Sequence, residues 1–140
     1  MKAPLYNDIL TLSQNIANAS AEDNNDKRVE ACKALQKLCA TNQSSPNDHP
    51  LQWEALADFT EDGDQALDIY QVGLNIAEKL KLNEYSSSIY LAMAQRYQEF
   101  EESEKCLVFA QKANEAAQDM NSEELKIEIS EFLSSLANKP

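Results

Sequence analysis

Apolar residues return every three or four places along almost the whole chain, the spacing that puts side chains on one face of an α-helix. Leu5, Ile9, Leu12 and Ile16 trace a first stripe. It predicts a helix over 4–19, with Pro4 in the first turn, where a missing N–H costs nothing. The polar run 20–26 turns the chain. Asp26 is placed to cap a second helix over 26–41, striped by Val29, Cys32, Leu35, Leu38 and Cys39. Residues 41–50, TNQSSPNDHP, are the strongest break, because two prolines among Asn, Ser and Asp stop helix continuation. A helix over 50–61 follows, with Trp53, Leu56, Ala57 and Phe59 inward. After the turn Glu61-Asp62-Gly63, Asp64 is placed as N-cap of a helix over 64–82 that aligns Ala66, Ile69, Tyr70, Gly73, Leu74, Ala77 and Leu80. Gly73 costs about 1 kcal/mol there against Ala, a cost that close approach of a neighbouring helix explains.

The next stretch alternates large and small residues: Tyr90, Met93, Ala94 and Tyr97, then Cys106, Ala110 and Ala113. It predicts helices over 85–100 and 102–119. Asn121-Ser122 breaks the chain again, and Glu123 and Glu124 suit the start of a helix over 122–137. That helix carries Leu125, Ile129, Phe132, Leu133 and Leu136, then frays into Asn138-Lys139-Pro140. The expectation is one all-α domain over 1–140, with seven helices: three pairs and one left over as a cap.

A shift of 40 positions overlays Ala66 on Cys106, Tyr70 on Ala110, Gly73 on Ala113, Ile89 on Ile129 and Met93 on Leu133. In the helices before these, Trp53, Leu56 and Ala57 answer Tyr90, Met93 and Ala94. The set resembles the tetratricopeptide repeat, W-x2-L-G-x2-Y followed by A, F and A. The segment LNIAEKLKLNEY resembles the longer repeats, of roughly 40 residues, of bacterial peptide-binding regulators and kinesin light chains. The resemblance covers about residues 50–137, and the pair over 1–42 fits loosely, through Ala31 and Leu35. It implies helix-turn-helix units stacked as a short right-handed solenoid. Glu101-Glu102 stand where the family has Gly-Asp. A single helix over 85–119 is therefore the competing reading, but it would be long for a globular helix, so the turn is kept.

Two Gly and four Pro leave little for a loop-rich or β-rich fold. No run of apolar residues is long enough to span a membrane. Polar interruptions make the N-terminus an amphipathic helix rather than a signal peptide. Three cysteines, no CxxC, and about 10 Å along a helix between Cys32 and Cys39 point to reduced thiols and a cytoplasmic protein. The net charge of −12 is unevenly placed. Residues 1–46 hold five basic and five acidic side chains, and residues 47–140 hold seven and nineteen. Such a surface suits neither nucleic acid nor anionic membrane. It serves either solubility or the attraction of a basic partner.

Candidate chemistry does not assemble. His49 is the only histidine, in a loop between Asp48 and Pro50, where a solvated side chain is expected. Cys106 stands where the repeat takes a small core residue. Asp58-x-Thr60-x-Asp62-Gly63 is partly like a calcium loop, but Ile69 occupies the twelfth position, which needs a bidentate Glu. Gly-rich phosphate loops and GxSxG are absent. The expectation is a non-enzyme without metal or cofactor.

The resemblance places a ligand groove along the first helix of each pair. Carried onto this chain, it presents Glu54 and Asp58, then Leu91, Gln95, Gln98 and Glu99, then Glu131 and Ser135. Read without the family, these are ordinary exposed helix positions. The family's carboxylate-gripping Lys and Asn are replaced here by acids and amides, and Arg96 is the one cation nearby. The groove would then take a basic or amide-rich protein segment. The leading expectation is an adaptor, with a small acidic chaperone or an immunity-type protein as sub-cases. The alternative is a structural protein that forms homodimers through its neutral N-terminal pair.

Overall fold

The computed structural model describes residues 2–137, and among these the regular structure is entirely helical. Seven helices follow in order: α1 Tyr6–Ala21, α2 Asn25–Asn42, α3 Pro50–Asp58, α4 Gly63–Lys79, α5 Asn83–Glu99, α6 Ser103–Ala116 and α7 Glu123–Ala137. Each expected helix is present, with ends shifted by a few residues. The fraying expected at 138–140 lies outside the described residues.

Several of the shifts have a common cause in three links of one design. After α1, α4 and α5 the chain turns in three residues, and the middle one is left-handed: Asp23 (φ 58°), Lys81 (φ 59°) and Glu101 (φ 60°). The following residue donates its N–H back into the helix just ended, Asn24 to Ala19 O (2.8 Å), Leu82 to Ala77 O (2.8 Å) and Glu102 to Tyr97 O (3.0 Å). A second bond joins each left-handed residue to the carbonyl three before it, at Ser20, Glu78 and Gln98. This is the Schellman closure, which satisfies the orphan carbonyls at a helix end and usually places Gly at the left-handed position. Here charged residues hold it, at roughly 1 kcal/mol relative to Gly for Lys81 and Glu101 and less for Asp23. The turn at Glu101-Glu102 thus exists without glycine, and the continuous helix over 85–119 does not form.

The residue that closes one helix also opens the next. Asn24 is the N-cap of α2, and its side chain accepts from Lys27 N–H at 3.1 Å. Asp26, expected as that cap, lies instead in the first turn of α2. Before α4 the cap is Asp62 rather than Asp64: its Oδ1 accepts from Gln65 N–H at 3.1 Å and its backbone carbonyl from Ala66 at 2.9 Å. Gly63 is the first residue of α4, and no glycine has positive φ. It therefore does not do what Glu101 does.

The break over 41–50 is an ordered loop. Asp48 accepts from Ser44 N–H (2.8 Å) and from the indole N–H of Trp53 (2.7 Å). Ser45 Oγ donates to Asn42 O, and Gln52 Nε2 donates to Asn47 O at 3.1 Å. His49 is not the solvated side chain expected. It is the N-cap of α3, and its Nδ1 accepts from Leu51 N–H at 3.1 Å. Pro50 follows at the first helical position, where its fixed φ favours the helix start.

The chain forms two compact units, one up to Ile76 and one from Ala77 onward, with the division inside α4. In the first, Ile9 and Ile16 of α1 meet Leu35 and Cys39 of α2 and Trp53 and Leu56 of α3, and Ile69, Val72 and Ile76 pack against them. In the second, the small residues Ala94, Cys106 and Ala110 are fully buried, and Tyr97, Phe109, Phe132, Leu133 and Leu136 lie on them. Small residues there let helices approach closely while the larger ones fill the space alongside. Ile129 anchors α7 beside Leu91, Ala113 and Met120. Each fully buried Ile or Leu contributes about 1.5–3 kcal/mol, so Ile16, Leu35 and Ile129 are principal holds on their helices.

Candidate binding surfaces

The positions expected to pack do so. Trp53, Leu56, Ala57, Ala66, Tyr70, Gly73, Met93, Ala94, Cys106, Ala110 and Ala113 are buried, while Tyr90 and Tyr97 are half-buried. Tyr70 ties α4 to α3 by donating its hydroxyl proton to Asp58 Oδ1. Ser87, which looks polar and free in the sequence, is buried and donates to Ala113 O at 2.8 Å, joining α5 to α6.

The expected groove residues behave differently from one another. Leu91 is a correction: it is 3% exposed and belongs to the core with Ala113, Ala117, Met120 and Ile129. The cause is the width of the buried face of α5, which takes in Ser86, Ser87, Ile89, Leu91, Met93 and Ala94. Asp58, Gln95, Glu99, Glu131 and Ser135 are exposed, and Glu54 and Gln98 are half-buried. Among these, Glu54/Asp58, Gln95/Glu99 and Glu131/Ser135 are spaced four apart on α3, α5 and α7, so each pair shares a helix face. Glu99 pairs with Arg96 at 3.8 Å, a partly exposed contact worth little in water. Ser135 Oγ donates to Phe132 O within its own helix.

Three further features were not anticipated. On the second unit an aromatic and cationic ladder runs along α5 and α6. Lys105 Nζ lies 5.6 Å from the Tyr97 ring, Tyr97 lies 5.1 Å from Phe109, and Lys112 lies 5.0 Å from Phe109 and 5.8 Å from Tyr90. Tyr90 donates to Glu78 at 2.8 Å, and burial, that hydrogen bond and the charges of Glu78 and Glu115 push its hydroxyl up to about 12. The i, i+4, i+7 spacing of Lys105, Phe109 and Lys112 was a readable signal for this face. Between α6 and α7 a cleft of about 520 Å³ opens, lined by Leu107, Leu133 and Leu136 over Cys106, with Gln98 and Glu101 among its polar residues. On the first unit, Arg28 of α2 reaches Glu61 (3.0 Å) and the carbonyl of Phe59 (3.4 Å), bridging to the link before α4.

Among the described residues no group of three or more His, Cys, Asp or Glu side chains is arranged to hold a metal ion. All three cysteines are free thiols. Cys39 is buried, donates to Gln52 O at 3.3 Å, and is pushed up to about 12 by burial and by Asp48. A thiol so placed is a packing group, since the thiolate is the reactive form. No described helix is long and apolar enough to cross a membrane. Comparison with family models, with curated proteins and with solved structures found no match.

Proposed function

We propose that this is a non-enzymatic, cytoplasmic interaction module of the tetratricopeptide type that binds a basic protein segment. The observation that carries the reading is electrostatic. Residues 38–78 hold eight Asp or Glu and no Lys or Arg, and the carboxylates of Asp58, Glu61, Asp62, Asp64 and Asp68 on α3, α4 and their link are exposed. Such a surface attracts cationic partners and speeds their encounter. Burial of the repeat positions and the turn at Glu101 support the repeat reading. An adaptor, an acidic chaperone and an immunity-type protein share this chemistry. The test is binding of a Lys/Arg-rich peptide in low and high salt. Affinity should fall steeply with salt, and salt-independent binding or none would sink the reading.

Self-association through α1 and α2 is a second reading. It is supported by the exposed Leu10 and Val29 and by a shallow depression that includes Leu12, Ala34 and Leu38. A molar mass that stays monomeric at all concentrations removes it.

A further inference from the structure

The α6–α7 cleft joins an aliphatic floor to an acidic side chain. Its floor is aliphatic, with Leu107 still 43% exposed beside the half-buried Leu133 and Leu136. Its volume of about 520 Å³ falls in the range of pockets that hold ligands or side-chain anchors, roughly 300–1,000 Å³. Its lining also includes Glu101, from the most acidic corner of the second unit. Four carboxylates fall within residues 99–104. Arg96 answers Glu99 and Lys105 answers Glu102, while among the described residues no cation pairs with Glu101 or Glu104.

We infer that this cleft docks a segment of a partner protein in which an aliphatic side chain stands beside a Lys or Arg. The aliphatic group enters over Leu107, Leu133 and Leu136, and the cation meets Glu101. This deepens the proposed function and rests on it: it names the site and the anchor that a purely charged ligand would lack. A basic partner fits better than a second copy, because two chains of charge −12 repel each other. This chain does, however, carry such motifs of its own, among them the exposed Leu80 flanked on both sides by Lys79 and Lys81. A second copy docking by that corner is therefore one outcome of the test.

The test uses the full chain, isotope-labelled, titrated with a twelve-residue amphipathic peptide of Leu and Lys. Two control peptides replace Leu by Ser and Lys by Glu. Amide shifts are expected within 98–107 and 133–137, with clearly weaker binding of both controls. Glu101→Gly should weaken binding about threefold, the scale of one exposed charge contact, while it relaxes the left-handed turn and stabilises the fold. Loss of affinity therefore cannot be put down to misfolding. Shifts confined to the acidic surface of α3 and α4 would overturn the cleft and leave the basic-partner reading standing. Equal binding of the Ser control, or no effect of Glu101→Gly, also overturns the cleft. Binding of none of the peptides overturns both readings. A concentration-dependent mass abolished by Lys79→Glu with Lys81→Glu assigns the cleft to a second copy and overturns the partner.

Discussion

His49 gives the fold a titratable helix cap, and its protonation is the perturbation to follow. Its Nδ1 accepts the N–H of Leu51 at 3.1 Å, which requires that nitrogen to be unprotonated. Burial lowers its pKa below the ordinary 6.5, and the charge of Asp48 opposes this in part. The sign follows. With the folded value below the unfolded one, the unfolded chain takes up the proton first, so stability is full above about pH 6.5 and is lost as pH falls through and below it. The size of the loss is set by the cap. Removing a side-chain N-cap costs about 1 kcal/mol, or roughly 3–6 °C in melting temperature for a chain of this length. The assay is thermal unfolding from pH 8 to 5 for the wild type and for His49→Asn, whose side chain caps at any pH. The wild type should lose stability on acidification relative to the Asn variant. Parallel curves, or a His49 resonance titrating above 6.5, would refute the reasoning.

Three other outcomes follow from the geometry. Lys81→Gly and Glu101→Gly should each raise stability by about 1 kcal/mol in urea unfolding, and Asp23→Gly by less because Asp tolerates the left-handed region better; no gain would mean the turns are built otherwise. In the folded protein Cys32 should react with a thiol reagent, while Cys39 and Cys106 react only as the chain opens; three equal rates would contradict the burial. On alkaline titration the Tyr90 phenolate should appear late, towards pH 12. Its contribution to stability is full below about pH 10 and fades as pH rises towards 12, and Tyr90→Phe should remove that late step from the absorbance curve.

Helix placement was legible because burial on one side leaves a period in the sequence, as in Leu5, Ile9, Leu12 and Ile16. The caps were not, for a specific reason. Each polar link offers several Asp or Asn residues, and which one caps depends on where the preceding helix closes. Closure at Asp23, Lys81 and Glu101 uses left-handed residues that are not glycine, so the sequence carries no mark of them. Leu91 was misplaced because family phase assumes one open face on α5, whereas Ser86 and Ser87 extend its buried face. Polar side chains conceal such burial when they are satisfied inside, as Ser87 is by Ala113 O. The cleft depends on where α7 comes to rest against α6, which no local pattern encodes.

The three-residue corners also bear on how quickly the molecule is made. They join α1 to α2, α4 to α5 and α5 to α6, so little chain entropy is lost in bringing the ends of those helices together. A topology rich in such near neighbours belongs with the helical proteins that fold in microseconds to milliseconds. Synthesis adds only about 5–20 residues per second, so α1 and α2 are expected to have paired before α3 is complete. Trp53 then arrives at a surface already formed by Leu35 and Cys39, and the first unit is assembled in the order in which it is written.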